Sequence, residues 1–424
     1  MSLDLAAKYD YSKPILAIIG GGPAGLMAAE VSLNQGVTVN VYDSMGSVGR
    51  KFLLAGKGGL NLTHSEDFEP FVSRYREQSG WVRGWLKDFD ANSLRAWAKN
   101  YGVDTFVGSS GRVFPTDLKA APLLRGWVRH LRENGVRFHV HHRCTGWNEN
   151  DELCFETPDG LKTLSPQASI FAMGGGSWAK LGSDGQWVPW LREAGIEISD
   201  LKASNCGFEH EWSPHFQSRF AGAPIKPVIV SGFDRDNPGK SLQGEFVITA
   251  TGIEGSVIYA ISADLRNSIE KNGVAELLCD LCPGRSIERL RKDLSTPRGK
   301  RSMTDHLRRH TGLEGVKIGL LYEALGQEDW QDNEKIIHAI KHFAITLTST
   351  RPIDEAISTA GGVTLGTLDK NLMSLKKPGI FFAGEMLDWE APTGGYLLTA
   401  SMASGRIAGQ AACRWLKSGY SKDA

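Results

Sequence analysis

The sequence predicts an α/β protein in which one discontinuous domain is interrupted by an inserted domain. Residues 14–200 alternate buried strands with helices, and residues 345–420 return to that pattern. Between residues 201 and 344 the alternation is lost, because strand-like segments such as KPVIVSGF precede a basic region of helical character. A chain of 424 residues is also too long for one compact core. We therefore place the domain boundaries after residues 200 and 344.

The first strand and helix are joined by a glycine-rich turn. PILAIIG is a short apolar run, PAGLMAAEVSLNQG has helical spacing and stops at Gly36, and VTVNVYD has the β-branched pattern of a strand. The turn between the first two reads Gly20-Gly21-Gly22-Pro23-Ala24-Gly25, which satisfies G-x-G-x-x-G. Strand, turn, helix and strand together predict a Rossmann-type unit that binds a dinucleotide.

Each glycine of such a motif has a separate expected role. Gly20 permits the tight turn, Gly22 lets the backbone approach the pyrophosphate, and Gly25 lets the helix pack closely on the strand. The helix also offers free N–H groups and its positive dipole end to the phosphates. Asp43 ends the second strand 18 residues after Gly25, where a carboxylate can bond a ribose hydroxyl.

The far end of the chain indicates FAD rather than NAD. IFFAGE reads as a buried strand ending in Gly384 and Glu385, a pattern in which the acid is expected on the ribityl chain. Gly394-Gly395-Tyr396 then opens a long helix whose positive end would face the flavin N1 and C2 carbonyl. Those atoms gain negative charge on reduction, so the helix should raise the flavin potential. A side chain at either glycine would hold the ring away.

The composition argues against several other classes. Lys plus Arg and Asp plus Glu each number 48, so no net field attracts nucleic acid or anionic lipid. No apolar stretch reaches the roughly 18 residues of a membrane-spanning helix, and the start has no secretion signal. Six scattered cysteines do not make a disulfide framework. We expect a cytoplasmic protein with no membrane partner and no nucleic-acid partner, and the oligomeric state is left open.

The sequence resembles the HI0933-like family of FAD-dependent oxidoreductases along nearly its whole length. Six ordered segments carry the resemblance: GGGPAG at 20–25, GRKFLLAGKGGLNLTH at 49–64, GRVFP at 111–115, AMGGGSWAKLGSDG at 172–185, GGVTLGTLD at 361–369 and FAGEMLDWEAPTGGYLL at 382–398. The resemblance implies a Rossmann-type FAD-binding domain interrupted by an insert that combines a small β-barrel with helices.

The resemblance also implies a set of cofactor-binding residues. They serve the phosphates, the adenosine half and the flavin half of FAD. They are Gly20, Gly22, Pro23, Ala24 and Gly25 in the phosphate loop; Asp43 on the ribose and the backbone at Cys144 near adenine; and Arg50, Lys51, Gly59, Leu60, Asn61, Gly174, Gly384, Glu385, Gly394, Gly395 and Tyr396 toward the ribityl chain and the ring.

Two departures from the family pattern leave the substrate open. The family commonly reads GGYN after the helix-opening glycines, and here Leu397 follows Tyr396. The loop that commonly reads G-x-GRCN is GKGGLN here.

We predict an FAD-dependent oxidoreductase acting on a small organic substrate at the flavin ring. Gly174-Gly175-Gly176-Ser177 follows a strand but precedes no acid-ended second strand, so NAD(P)H would dock transiently, or O2 would be the oxidant.

Two alternative functions stay open at this point. Nine Lys and Arg residues against three acids between Arg285 and Arg309 could bind RNA, which would suit a flavin-dependent RNA-modifying enzyme. A non-catalytic flavin-binding redox module is the other alternative.

Cys279 and Cys282 form a C-x-x-C in a segment that reads as helical, and we interpret them as structural thiols. His64 and Lys57 could donate a proton, but position alone assigns them no catalytic role.

Overall fold

The computed structural model describes residues 13–55, 58–232 and 240–419. The chain divides into two compact units, one formed by the residues up to Lys202 together with those from Ser358, the other by Ala203–Ile357. The sequence placed the second boundary after residue 344. The strand Phe343–Leu347 pairs with Ala275–Asp280 inside the second unit, which is why this unit continues beyond that residue.

Strands and helices are numbered in chain order. The strands are β1 (Ile15–Ile19), β2 (Thr38–Tyr42), β3 (Thr63–His64), β4 (Thr105–Val107), β5 (Arg112–Pro115), β6 (Arg137–His139), β7 (Arg143–Trp147), β8 (Leu153–Thr157), β9 (Gly160–Leu164), β10 (Ala168–Phe171), β11 (Ile198–Ser204), β12 (Phe208–Glu209), β13 (Pro224–Ser231), β14 (Leu242–Thr249), β15 (Gly252–Glu254), β16 (Ala275–Asp280), β17 (Phe343–Leu347), β18 (Ser349–Thr350), β19 (Ser358–Val363) and β20 (Ile380–Phe382). The helices are α1 (Pro23–Val31), α2 (Arg50–Ala55), α3 (Phe68–Ser73), α4 (Ser79–Leu86), α5 (Ala91–Asn100), α6 (Ala120–Glu133), α7 (Trp187–Glu193), α8 (Pro214–Phe220), α9 (Ser256–Ala260), α10 (Ser262–Asn272), α11 (Ile287–Leu294), α12 (Met303–Thr311), α13 (Val316–Ala324), α14 (Asn333–Lys341) and α15 (Tyr396–Lys417).

The first unit is built on a five-stranded parallel sheet in the order β20-β10-β1-β2-β6. Leu16, Ile18 and Val41 lie in its interior with no exposed surface. Because all of these strands run in the same direction, β1, β2, β10 and β20 end at one edge of the sheet. Ligands of open α/β sheets bind outside this carboxyl edge. The motifs that the sequence singled out follow these four strands.

Helices α1 and α15 pack so closely that their backbones are in contact. A Cβ added at Gly405 would stand 2.1 Å from the carbonyl oxygen of Ala24, and one at Gly409 would stand 2.6 Å from that of Ala28. Side chains larger than hydrogen would therefore separate the two helices. Helix α15 is rich in small residues, and this is the reason the two helices can touch.

Three smaller sheets complete the first unit. β3, β5 and β4 form an antiparallel sheet in that order, β7, β8 and β9 form a meander, and β11 pairs with β19. The sequence CTGWNENDELCFETPDG at residues 144–160 has a hairpin-like pattern, and it contributes to the hairpin of β7 and β8. The pattern of residues 136–142 predicts a strand, of which β6 spans only Arg137–His139.

The second unit contains one ladder of seven strands in the order β17-β16-β13-β14-β15-β12-β18, and helices α8–α14. β17 and β18 are separated by a single residue, Thr348, so one extended segment lies at both ends of the ladder. The strands thus return to their starting segment, as the closure of a barrel requires. The sequence analysis read the segment around Cys279 as helical, and that reading was wrong, because Ala275–Asp280 form strand β16.

Among the residues that the structure describes, no helix combines the length and the apolar character needed to cross a membrane.

The contact between α1 and α15 predicts opposite effects for the same substitution in two helices. Gly405→Ala should lower the free energy of unfolding by about 1–3 kcal/mol, because the added methyl group meets a backbone carbonyl that cannot move independently. Gly84→Ala in α4 is the matched control: nothing lies within 4 Å of its added Cβ, so helix propensity should raise stability by about 0.4–1 kcal/mol. Urea denaturation measures both. Equal effects would contradict the packing described here.

Candidate functional site

The glycine turn after β1 is held by the chain's own backbone at two of its positions. Gly20 has a φ of +106°, and a Cβ there would stand 2.2 Å from the carbonyl oxygen of Ala172. A Cβ at Gly25 would stand 1.9 Å from the carbonyl oxygen of Gly20. Both positions therefore require glycine for intramolecular reasons. Gly20 brings the turn against the residue that follows β10, and Gly25 brings the start of α1 against the turn.

Gly22 is different from its two neighbours in the motif. It precedes α1 with a φ of −77°, which any residue can adopt, and no atom lies within 4 Å of an added Cβ. No side chain caps the helix, and Pro23 occupies its first turn. The N–H groups of Ala24 and Gly25 therefore lack intrahelical partners, and they follow directly on the open space at Gly22. This is the arrangement that binds an anionic group.

The carboxylate of Asp43 organises the same edge of the sheet. Its Oδ2 accepts a hydrogen bond from the Gly21 N–H at 2.9 Å, and its Oδ1 accepts one from the Met45 N–H at 2.8 Å. Burial raises the pKa of Asp43 above its ordinary value, and the two N–H groups oppose that effect. The side chain is thus fixed beside the glycine turn, where the sequence predicted a ribose-binding acid.

Two further segments border Asp43. The His142 N–H donates to the Asp43 carbonyl at 2.9 Å, and Cys144 follows two residues later in β7. On the other side, a Cβ at Gly182 would stand 2.8 Å from the Met45 side chain. Burial raises the pKa of the Cys144 thiol to about 12, so this group stays protonated at neutral pH. A contribution of Cys144 to a nucleotide site would therefore come from its backbone.

Lys51, Glu385 and Gly174 come together at the ends of β10 and β20. The Lys51 ammonium donates to Glu385 Oε2 at 2.6 Å and to Ser177 Oγ at 2.8 Å. Glu385 Oε1 accepts the Thr359 N–H at 3.1 Å, and a Cβ at Gly174 would stand 3.9 Å from Glu385 Oε2. Residues predicted from three distant motifs thus surround one carboxylate.

Thr359 is a polar residue of this cluster that the sequence analysis missed. It is fully buried, and its Oγ1 accepts the N–H groups of Gly176 at 2.9 Å and Ser177 at 3.2 Å. A Cβ at Gly175 would stand 2.3 Å from that hydroxyl, so the glycines at 174–176 let the loop close over Thr359. A threonine in this short strand offers no sequence signal, because only the fold places β19 against this loop.

The candidate residues predicted in α2 and the loop after it differ in what their side chains do. Leu60 is buried, and the Asn61 amide donates to the carbonyls of Thr63 at 2.8 Å and Val113 at 3.1 Å, so both side chains stabilise the loop itself. Gly59 has a φ of +107°, which favours glycine. Arg50 is partly buried at the start of α2, and its charge opposes the rise in the pKa of Asp43. Lys57 lies outside the described residues.

The glycines before α15 are required for a reason that the sequence did not show. Gly394 and Gly395 have φ values of +132° and +95°, and a Cβ at Gly395 would stand 2.3 Å from the Cα of Thr63. The backbone of β3 alone therefore excludes a side chain at Gly395, whatever lies beyond the helix. The Tyr396 hydroxyl bonds to Glu66, and its carbonyl accepts the Tyr75 hydroxyl at 2.8 Å, which fixes the start of the helix.

The remaining candidates, His64, Cys279 and Cys282, are not arranged for catalysis. His64 accepts the Glu66 N–H on Nδ1 at 3.2 Å, so its Nε2 is the nitrogen that can donate to the Ser110 carbonyl at 3.1 Å. Cys279 is buried in β16 of the second unit, and burial raises the pKa of both Cys279 and Cys282. Among the described residues, no group of His, Cys, Asp and Glu side chains could hold a metal ion.

The chain matches the HI0933-like protein Rossmann domain over residues 15–411. It belongs to this family. The match confirms the Rossmann-type fold that the glycine motif predicted, and the protein is accordingly an FAD-dependent flavoprotein of the oxidoreductase class.

Two relatives cover almost the whole chain. One is the 3-dehydro-bile acid delta(4,6)-reductase of Clostridium scindens, 26% identical over 412 residues, which span 94% of this chain and 98% of the relative. Another is the ribosomal RNA dihydrouridine synthase of Haemophilus influenzae, 25% identical over 412 residues, which span 91% and 94%. The two names describe different substrates.

Solved structures with the same fold include two oxidoreductases. Quinol fumarate reductase of E. coli has a TM-score of 0.52 at 13% identity, with coverage of 97% of this chain and 72% of that chain. The 3-ketosteroid delta1-dehydrogenase of Sterolibacterium denitrificans has a TM-score of 0.51 at 11% identity, with coverage of 94% and 99%. At these identities the likeness concerns the fold alone.

The buried hydroxyl of Thr359 predicts a measurable contribution to stability. Thr359→Val keeps the shape of the side chain but leaves the N–H groups of Gly176 and Ser177 without an acceptor, which should cost about 1–3 kcal/mol of unfolding free energy. Thr163→Val, at an exposed strand position of β9, is the control and should change little. Chemical denaturation of both variants tests this, and a stable Thr359→Val protein would show that the loop has other acceptors.

Proposed function

We propose that the protein is an FAD-dependent reductase of a small organic molecule that takes its electrons from a nicotinamide nucleotide. The observation that carries the proposal is the open position at Gly22. Gly20 and Gly25 are glycines because the chain itself leaves no room, whereas at Gly22 nothing in the described structure requires one. A glycine at the open N-terminus of α1 is explained by the close approach of a pyrophosphate.

The described residues fit FAD at both of its halves. The N–H groups of Ala24 and Gly25 would bind the pyrophosphate, and Asp43 would bond the adenosine ribose. Lys51 and Glu385, with Gly174 beside them, would bind the ribityl chain, and the start of α15 would lie near the ring. When bound, FAD supplies the transfer of an electron pair with a proton at the substrate.

Two groups of the chain itself would stabilise negative charge that develops at the site. The Lys51 ammonium and the positive end of α15 both favour negative charge developing on a neighbouring group, the helix end by about 0.3–1 kcal/mol or more when partly buried. Glu385 holds Lys51 in place through their 2.6 Å ion pair. We propose that this pair, rather than a catalytic acid or base, tunes the reactivity of the site.

A separate nicotinamide domain has no support in the described residues. Gly174-Gly175-Gly176 follows β10, but the next elements are a short 3-10 turn at Ala179–Leu181 and then α7, which starts at Trp187. The glycines therefore do not lead directly into a helix N-terminus as Gly22 does. We propose that NADH or NADPH docks at the flavin without a dinucleotide fold of its own.

Gly22→Val predicts loss of FAD without loss of fold. The apo protein should unfold at the parent temperature because the added side chain meets open space. Its Kd for FAD should rise more than about tenfold, a loss of about 1.4 kcal/mol, because the side chain would occupy the position of the pyrophosphate. Gly366→Val is the control: this glycine is exposed and, like Gly22, has nothing within 4 Å of an added Cβ, so the variant should bind FAD normally. If Gly22→Val binds FAD with the affinity of the parent, the assignment of this turn as the phosphate loop is refuted.

The electron donor is tested by anaerobic titration of the FAD-loaded protein. We expect NADH or NADPH to bleach the flavin absorbance and a small primary amine to leave it unchanged. Bleaching by the amine alone, with reoxidation by O2, would instead show an oxidase. A flavin that none of these reduces would favour the non-catalytic redox module.

An RNA substrate is the second candidate, favoured by one feature of the second unit. Four of the nine cations between Arg285 and Arg309 pair with acids. The other five are exposed and have no acidic partner within the described chain: Lys292, Arg298, Lys300, Arg301 and Arg309. Such a surface would bind phosphates, and a relative at 25% identity is named for ribosomal RNA. RNA binding that weakens steeply with salt would support this candidate over the first.

A further inference from the structure

The small sheet β3-β5-β4 exposes large apolar side chains on one face. Phe106 of β4 lies directly opposite Phe114 of β5, and their rings stack at 5.8 Å. Phe106 is 41% exposed, and Leu118, in the turn after β5, is 45% exposed. Directly paired residues share one face of an antiparallel sheet. Phe106, Phe114, Leu118 and Arg112, which lies two residues before Phe114 on the same face, are called here the β5 face.

Leu118 is held in an unfavourable backbone conformation. Its φ is +62°, a region that leucine rarely adopts. The conformation is fixed because the Leu118 N–H donates to the Pro115 carbonyl and its own carbonyl accepts the Leu60 N–H, both at 2.9 Å. Strain of this kind is typical of functional positions. An exposed apolar side chain held in a strained turn contributes nothing evident to folding, which points to a binding role.

The β5 face is continuous with the loop proposed for the flavin side. A Cβ at Gly59 would stand 3.6 Å from Leu118 Cδ2 and 3.9 Å from Phe114 Cδ1, so these side chains border the glycine loop. On the same face, His64 is paired with Arg112 across β3 and β5. His64 in turn stacks on Tyr396, the first residue of α15, at 5.3 Å.

Arg112 gives this face a positive charge. Within the described chain its guanidinium has no acidic partner. Glu66, which lies two residues after His64, the strand partner of Arg112, forms a two-point ion pair with Arg74 instead. Aromatic and leucine side chains beside an unpaired guanidinium are complementary to a molecule that is apolar and flat but carries an anionic group.

We propose that the β5 face binds the substrate and that the substrate is a flat, largely apolar organic anion. Phe106, Phe114 and Leu118 contact its apolar body, and Arg112 binds its anionic group. This proposal rests on the proposed function, since it places the substrate beside the flavin loop. A single cation beside apolar side chains suits a small amphipathic molecule better than a polyanion at this face.

The test uses two fluorescent probes on the FAD-loaded protein. Anilinonaphthalene sulfonate has an apolar aromatic body and one sulfonate, and phenylnaphthylamine has the same ring system without the charge. Leu118→Gly and Phe106→Ser should weaken both probes about tenfold, because each removes apolar contact area. Arg112→Gln should weaken only the sulfonate, and Arg112→Lys should restore part of the loss. Unchanged affinities in these variants would overturn the proposal.

Two controls keep the result specific. Val107→Ser changes an equally exposed apolar residue on the opposite face of β4, and it should leave both affinities unchanged. Leu118→Gly should unfold no earlier than the parent because glycine adopts a positive φ without cost, so weaker binding cannot be attributed to damage of the fold. Equal weakening by Val107→Ser would contradict a binding site confined to the β5 face.

Sedimentation and flavin absorbance distinguish substrate binding from self-association and from loss of the cofactor. If sedimentation shows a parent dimer that Leu118→Gly converts to monomer, the face is a contact between copies and the proposal fails. Flavin absorbance is recorded on every sample. A parent that binds no FAD overturns the proposed function itself, whereas FAD-loaded variants with parent-like probe affinity overturn only the substrate proposal.

Discussion

The close approach of α1 to its neighbours is the constraint on which the first unit depends. One end of α1 lies against the turn after β1, where a Cβ added at Gly25 would stand 1.9 Å from the Gly20 carbonyl oxygen. Its flank lies against α15, where a Cβ added at Gly405 would stand 2.1 Å from the Ala24 carbonyl oxygen. Hydrogen is the only side chain that fits at such distances. The position of the α1 N-terminus at the carboxyl edge of the sheet follows from these two contacts.

This position determines the electrostatics of the site. The first N–H groups of α1 have no intrahelical partners, and the carboxylate of Asp43 is fixed beside them by two backbone hydrogen bonds. At the neighbouring strands, the ion pair between Lys51 and Glu385 links α2 to the end of β20. Polar groups held in this way are preorganised, so binding a charged dinucleotide would require little rearrangement.

The second unit shows where sequence patterns are ambiguous. In β16 the buried positions Ala275, Leu277 and Cys279 alternate with outward ones, which is the period of a strand. Leu278 interrupts that alternation in the sequence, and the run of Leu and Cys residues then resembles a buried helix. Short apolar runs cannot be assigned by periodicity alone. The same ambiguity moved the expected domain boundary, because β17 belongs to the ladder that β16 helps to build.

The sequence by itself determined the elements whose chemistry is local. The glycine turn, the acid after β2 and the small-residue helix α15 are each recognisable within a few consecutive residues, because turn geometry and helix capping depend on near neighbours. Only the tertiary structure decided which glycines are required by contacts within the chain and which are not. The backbone of Thr63 leaves no room for a side chain at Gly395, whereas an added Cβ at Gly22 would meet open space. It also brought the buried hydroxyl of Thr359 to the Gly176 N–H and placed Phe114 and Leu118 beside Gly59. These contacts join segments far apart in the chain, and the distances between such segments depend on the packing of the whole unit, which no local pattern encodes.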